Sequence, residues 1–161
     1  MFHHQDTKTQ RRRGYGPWTP DSPPRHEEAS VSEIRPIAAD IDRVAKDVVD
    51  AAFKVHKTLG PGLLESVYET CLARELEIRR VAVERQVEVP VVYEGVKLDA
   101  GLRLDLLVDK RVIVEVKAVE KMIPVFDAQL LTYLKLTGLR LGLLINFNVP
   151  AIKDGIRRLA L

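Results

Sequence analysis

The chain has very little cysteine and no long apolar run. Cys71 is the only cysteine in 161 residues, which excludes a disulfide framework and a zinc site built from several thiolates. No apolar stretch approaches the ~20 residues that a membrane helix needs, and the first residues contain no hydrophobic signal segment. We therefore expect a cytoplasmic protein that neither enters a membrane nor is secreted.

The chain also has no large excess of positive or negative charge. The sequence has 25 basic and 23 acidic residues, which gives a formal net charge of +2 at pH 7. This balance neither requires nor excludes nucleic acid, because a basic face can form without a basic total. Hydrophobic residues make up 46% of the chain, which is enough to form the core of one domain.

The first 36 residues differ from the rest. They contain five of the nine prolines and show no sustained helical or strand periodicity. This composition predicts a disordered tail at 1–36 and a folded domain at 37–161. The basic run at 11–13 could contact phosphates or could simply be solvated.

Helical spacing of apolar residues predicts two helices at the start of the folded part. The first is capped by Asp40 and ends at Gly60-Pro61-Gly62, where glycine permits the left-handed conformation and proline stops the helix. The second runs from about Leu63 to Arg79.

The periodicity then changes to that of strands. Strands are predicted at 81–93, 102–108 and 112–118, followed by a helix at 124–137, a nearly continuous apolar strand at 139–147 and a last helix from 150 to the end. The order α-α-β-β-β-α-β-α predicts an α/β sheet covered by helices. Its last two strands should be parallel, because a β-α-β unit crosses over right-handed.

Two acids on neighbouring strands carry the strongest chemical signal. With a three-residue turn at 109–111, Asp105 lies opposite Glu115. Opposed carboxylates in a partly buried cleft repel each other unless a cation or a proton intervenes, and a hard divalent ion such as Mg²⁺ suits oxygen ligands. Lys117 emerges on the same face, where its ammonium could orient a water or offset charge on a phosphate.

An alternative explanation for these charges is a salt-bridge cluster. In the same register Arg103 lies opposite Lys117 and could neutralise both acids, and a two-residue turn would shift the register altogether.

The alternation places six apolar residues together on the other face as core: Leu104, Leu106, Val108, Val112, Val114 and Val116.

Three short motifs resemble a known superfamily. Asp105 followed by Glu115-Val116-Lys117 resembles the D…(D/E)-x-K signature of the PD-(D/E)XK nucleases. The segment 62–68, GLLESVY, matches the GxxExxY motif of a small family within that superfamily. Gln129 and Tyr133 resemble the Q-x-x-x-Y motif of its exonuclease-like branch. The resemblance covers about residues 40–161 and departs from the superfamily name where leucine replaces proline before Asp105.

This resemblance implies a fold and a set of roles. The fold is the restriction-endonuclease-like α-β-β-β-α-β core with a mixed central sheet. The implied metal ligands for Mg²⁺ or Mn²⁺ are Asp105, Glu115, the main-chain carbonyl of Val116, and Glu65. The other implied roles are that Lys117 positions the attacking water, Gln129 hydrogen-bonds near the scissile phosphate or Lys117, and Tyr68 and Tyr133 support the site.

The residues alone leave plainer roles open. Glu65 could be an acid favoured by the helix dipole, Tyr68 could be a core aromatic with its hydroxyl at the rim, and Gln129 and Tyr133 could be boundary residues. We expect a metal-dependent nuclease that hydrolyses phosphodiester bonds of nucleic acid, with DNA favoured. The alternative is a non-catalytic module that binds nucleic acid or protein, and either could act as a homodimer.

Overall fold

The computed structural model describes residues 35–161, apart from the side chains of Asp99 and Ala100. Residues 1–34, which form nearly all of the predicted tail, lie outside the described residues, so that division of the chain stays a prediction. Within the described part, Pro36–Leu161 form one unit. None of its helices is long and apolar enough to cross a membrane.

Three α-helices, one short 3-10 helix and five strands make up this unit. In chain order they are α1 (Ala39–Leu59), α2 (Glu65–Ile78), β1 (Val83–Tyr93), β2 (Val96–Val108), β3 (Val112–Lys117), α3 (Pro124–Thr137), β4 (Leu141–Asn146), the 3-10 helix (Ile152–Gly155) and β5 (Ile156–Ala160).

The strands form one mixed sheet in the order β1-β2-β3-β4-β5. Strands β3 and β4 are parallel and are connected through α3, as predicted, whereas the other neighbours are antiparallel. The turn at 109–111 has three residues, with Val108 paired to Val112. This confirms the register from which the opposed acids were inferred, and the mixed α/β fold class is confirmed with it.

The sheet lies between two helical layers. Helices α1 and α2 pack on one face, together with apolar residues of β2, β3 and β4. Helix α3 packs on the other face through Leu130, Tyr133 and Leu134. Since both faces are covered, β4 is buried along its whole length.

The predicted last helix is wrong. Residues 152–155 form a 3-10 helix, and the chain then pairs with β4 as β5. Ile156 packs on the α1 side of the sheet and Leu159 on the α3 side. Residues three apart lie on opposite faces of a strand but share a face of a helix, so these contacts require a strand.

The predicted cap of α1 is also wrong. The helix begins at Ala39, preceded by Ala38 as the N-cap residue, and Asp40 lies inside its first turn. The Asp40 carboxylate accepts the amide of its neighbour Ile41 at 2.9 Å. A negative charge in the first turn is favoured by the helix dipole, so Asp40 still marks the helix start.

Candidate active site

Asp105 and Glu115 meet where β2 and β3 stop pairing through their main chains. The β2–β3 register runs from Val108–Val112 to Leu106–Val114. Beyond it, the Asp105 amide donates to Glu115 Oε1 at 3.2 Å, and the Val116 amide donates to Asp105 Oδ2 at 2.9 Å. Each strand therefore contributes a carboxylate that binds the main chain of the other strand. We call Asp105 and Glu115 the acid pair.

Burial changes the ionisation of the acid pair. Glu115 is only 3% exposed, and burial together with the charge of Asp105 raises the pKa of Glu115 to about 8. Burial also raises the pKa of Asp105, against the opposing effect of the Val116 amide. Two carboxyls in these surroundings share a proton at neutral pH unless a cation replaces it.

The strand is rotated at Asp105, which corrects one prediction. Leu104 and Leu106 are both fully buried, but Leu106 packs on the α1 and α2 side and Leu104 on the α3 side. The expectation that all six apolar residues share one face is therefore wrong for Leu104. Residues two apart in a regular strand share a face, so β2 departs from regular geometry at Asp105.

Lys117 is held beside the acid pair by α3. Its ammonium lies 4.8 Å from the centre of the Phe126 ring, a cation–π contact. The charge of Lys117 opposes the rise in pKa of both Asp105 and Glu115. Arg103, which the salt-bridge alternative placed on these acids, instead donates to Glu88 on β1 at 3.1 Å.

Glu65 reaches the same place from the first residue of α2. Although much of the residue is exposed, partial burial of its carboxyl raises the pKa of Glu65, and the charge of Lys117 opposes that rise. The main chain of Ala118, just after β3, opposes the rise as well. The first residue of α2 therefore lies near the end of the strand that carries Glu115 and Lys117.

Tyr133 approaches the acid pair from α3. It is 4% exposed, and burial and the nearby charge of Glu115 raise the pKa of its hydroxyl. Gln129, one turn earlier, donates to the Tyr133 hydroxyl oxygen at 2.5 Å. Gln129 therefore meets the site through Tyr133, and the two residues of the motif are directly bonded.

Tyr68 does not join the acid pair. It is fully buried on the opposite side of the sheet from Tyr133, with its ring stacked on Phe147 at 4.6 Å. Its hydroxyl donates to the Gly60 carbonyl at 2.6 Å and accepts the Leu63 amide at 3.1 Å. Tyr68 thus closes the loop that leads into α2 and supports Glu65 from a distance.

Sequence reasoning missed Glu69 and Gln86. Glu69 is 7% exposed, and its charge adds to the rise in pKa of Asp105. Gln86, on β1, donates to Glu69 Oε2 at 2.8 Å. The available signal for Glu69 was its position one helical turn after Glu65, which places both acids on the same face of α2.

The donor chemistry of the acid pair suits a hard divalent ion. Among residues 35–161, no group of three or more His, Cys, Asp or Glu side chains is already arranged to hold a metal. The acid pair nevertheless provides carboxylate oxygens, which Mg²⁺ and Mn²⁺ prefer. An ion of charge +2 would also relieve the repulsion that now favours a shared proton.

Comparison with known proteins gave one positive result. Searches of curated proteins and of solved structures gave no match. A family model described as the PD-(D/E)XK nuclease superfamily matches residues 42–159. The finer assignment to the GxxExxY family rests on residues 62–68 and stays a prediction. Because the match covers most of the chain and agrees with the mixed sheet and its acid pair, the chain belongs to the PD-(D/E)XK nuclease superfamily.

Proposed function

We propose that this protein is a metal-dependent nuclease that hydrolyses phosphodiester bonds, with DNA as the favoured substrate. The main observation behind this proposal is the buried acid pair. Asp105 and Glu115 each accept a hydrogen bond from the main chain of the other strand, and Lys117 lies nearby. Superfamily membership supports this proposal, because PD-(D/E)XK nucleases act on nucleic acid and generally use divalent metal ions.

Asp105 and Glu115 would hold Mg²⁺ or Mn²⁺, with the Val116 carbonyl and Glu65 as further proposed oxygen donors. When bound, such an ion supplies Lewis-acid stabilisation of the charge that builds on the phosphate. To hold the ion, the acid pair would release its shared proton, so both buried carboxylates would be ionised only in the ion-bound protein.

Lys117 would orient the attacking water and donate a hydrogen bond to it. The Phe126 ring restricts where the ammonium can lie. Tyr133, whose hydroxyl oxygen is already bonded by Gln129, keeps its own proton to donate toward the acid pair or the phosphate.

Cleavage assays on the full-length protein test this proposal. Supercoiled, linear and single-stranded DNA and an RNA of the same sequence are incubated with Mg²⁺ or Mn²⁺, with chelator as the blank. We expect ion-dependent cleavage that falls at least about 100-fold in Glu115→Ala and Lys117→Ala. Exposed neighbours of the same charge, Glu120 and Lys121, provide the matched controls Glu120→Ala and Lys121→Ala.

Two results would contradict the proposal: no cleavage of any substrate with either ion, or equal cleavage by wild type and the Glu115 and Lys117 variants. Binding of nucleic acid without cleavage would support the alternative, a non-catalytic module that retains the fold. The homodimer and the cytoplasmic location stay predictions. The molar mass in solution, compared with 18.2 kDa for one chain, tests the first of these.

A further inference from the structure

Glu69 is a buried charge that the proposed reaction does not use. Its side chain is 9% exposed, and Arg85 Nε donates to its Oε1 at 3.3 Å. Gln86 Nε2 donates to its Oε2 at 2.8 Å. Arg85 also donates to Thr70 at 2.8 Å, so two consecutive residues of β1 are bound to two consecutive residues of α2.

Gln86 has an unusual backbone for a strand residue. Its φ is 51°, in the left-handed region that non-glycine residues rarely adopt. Strand β1 pairs Arg85 with Leu106 and Val87 with Leu104, so Gln86 stands opposite Asp105. The left-handed residue therefore lies across the β1–β2 ladder from Asp105.

Both strands change face at this point. In β1, Val83 packs on the α1 and α2 side of the sheet, whereas Val87 packs on the α3 side. In β2, Leu106 and Leu104 make the same change. Residues separated by an even number share a face in a regular strand, so the β1–β2 ribbon turns over at Gln86 and Asp105.

The rotation has a direct effect on Asp105. A residue of a regular strand points its side chain roughly perpendicular to the sheet rather than along the ladder toward the next strand. Asp105 instead accepts the Val116 amide at 2.9 Å across the β2–β3 boundary. The Asp105 carboxylate is therefore directed toward Glu115 by the turned ribbon.

We infer that Glu69 and Gln86 are positioning residues for Asp105. The bond between them holds Gln86 in its left-handed conformation, and that conformation keeps the ribbon turned so that Asp105 stays on the Val116 amide. The inference deepens the proposed function and rests on it, because a displaced Asp105 would hold a divalent ion less well.

A side-chain exchange tests the pair in the full-length protein. Glu69→Gln places an amide against the Gln86 amide, and Gln86→Glu places two carboxylates together. The double variant restores a carboxylate–amide bond in the reverse direction and leaves the net charge unchanged. Glu75→Gln, which removes the Glu75–Arg79 ion pair elsewhere on α2, is the matched control.

Two measurements report on positioning. The first is the Kd for Mn²⁺ by calorimetry. The second is the hydrogen-exchange rate of the Val116 amide relative to the amides of β4, which corrects for any general loss of stability. We expect each single variant to raise the Kd and the relative exchange rate about tenfold, and the double variant to recover to within about threefold of wild type. The control should change neither quantity.

The inference is overturned if both single variants bind Mn²⁺ as wild type does, or if the double variant recovers neither quantity. It is also overturned if exchange rises equally in β4, since the loss would then be general. Gln86→Ala, which only removes the amide, should reproduce the single-variant result should Gln86→Glu fail to fold. Failure of the proposed function is distinguishable, because it would leave the Mn²⁺ and exchange pattern intact while no substrate is cleaved.

Discussion

Glu115 is the residue whose surroundings most alter its ordinary chemistry. It lies on β3, in the sheet between the two helical layers, and is 3% exposed. The Asp105 amide donates to one of its oxygens. Burial and the charge of Asp105 raise its pKa from the usual 4.5 to about 8. In the ion-free protein the acid pair therefore carries a proton at neutral pH, at a site where two charges would repel.

The free energy of unfolding of the protein without a divalent ion should consequently decrease as the pH rises from about 4.5 to about 8. In that window the folded state binds a proton that the unfolded chain has released, so unfolding becomes easier with rising pH. Glu115→Gln has no proton to lose and should flatten the slope. Urea unfolding in the presence of chelator, repeated across this pH range, measures it.

Glu120→Gln is the control for that series, because Glu120 is exposed and should leave the slope unchanged. A wild-type slope that Glu115→Gln does not reduce would mean that another group dominates the titration. The raised pKa values of Asp105 and Glu65 act in the same direction as that of Glu115, so they cannot cancel it.

At the scale of residues, the sequence predicted that Asp105 and Glu115 lie together. It did not predict which other residues position Asp105. Strand alternation and a three-residue turn were enough to place Asp105 against Glu115. Gln86 gave no such signal, because a left-handed glutamine leaves the alternation of valines in β1 almost unbroken, and the position of Glu69 one turn after Glu65 does not point to Gln86. The rotation depends on a bond between a strand and a helix, and periodicity carries no information on that bond.

At the scale of elements, the loop before α2 is held by one side chain. Gly60 and Gly62 both have left-handed φ values, 70° and 100°, which a residue with a Cβ adopts at a cost. The Tyr68 hydroxyl bonds to the Gly60 carbonyl and the Leu63 amide, so it satisfies polar groups on both sides of the turn. The position of Glu65 at the start of α2 depends on this loop.

Tyr68→Phe should lower the free energy of unfolding by roughly 1–3 kcal/mol, since a donor and an acceptor in the loop lose their partner. Chemical denaturation measures the change. Tyr93→Phe is the matched control, because Tyr93 is 67% exposed and its hydroxyl can be solvated in either state. Equal stability of the two variants would show that the Tyr68 bonds contribute nothing to folding.

Helix α3 and strand β5 show which elements a sequence specifies by itself. Helix α3 has the bounds that were predicted, Pro124–Thr137, because proline suits its first turn and Gly138 adopts the left-handed conformation at its end. Residues 156–160 have no such local signals, and their pairing with β4 decides their conformation. Tertiary contact, rather than local preference, therefore sets the conformation of these residues.

At the scale of the whole molecule, the order of the elements was more predictable than the environment they create. The antiparallel strands, the α3 crossover and the parallel pair β3–β4 follow from periodicity and handedness. The superfamily match at residues 42–159 lies inside the unit formed by Pro36–Leu161. How deeply Glu115 is buried depends on three packed layers together, and a sequence pattern does not give that quantity.

A chain lacking residues 1–36 should keep the melting temperature and the Mn²⁺ affinity of the full-length protein. The reason is that the predicted tail contains none of the site residues and precedes the superfamily match. Removal of residues 156–161 is the contrasting variant, because it takes away β5 and exposes the buried strand β4. Thermal unfolding and calorimetry compare the three chains, and a marked loss in the first variant would contradict the tail assignment.

The crossover through α3 also bears on how the protein is made. Strands β2 and β3 leave the ribosome before Tyr133 and β4. The sheet is therefore incomplete until β4 has paired with β3. Before β4 pairs with β3, the chain lacks the surroundings that β4 and α3 give to Asp105 and Glu115 in the folded protein. The growing polypeptide therefore has no buried acid pair, and none of the chemistry proposed for that pair, until β4 has been made and has paired with β3.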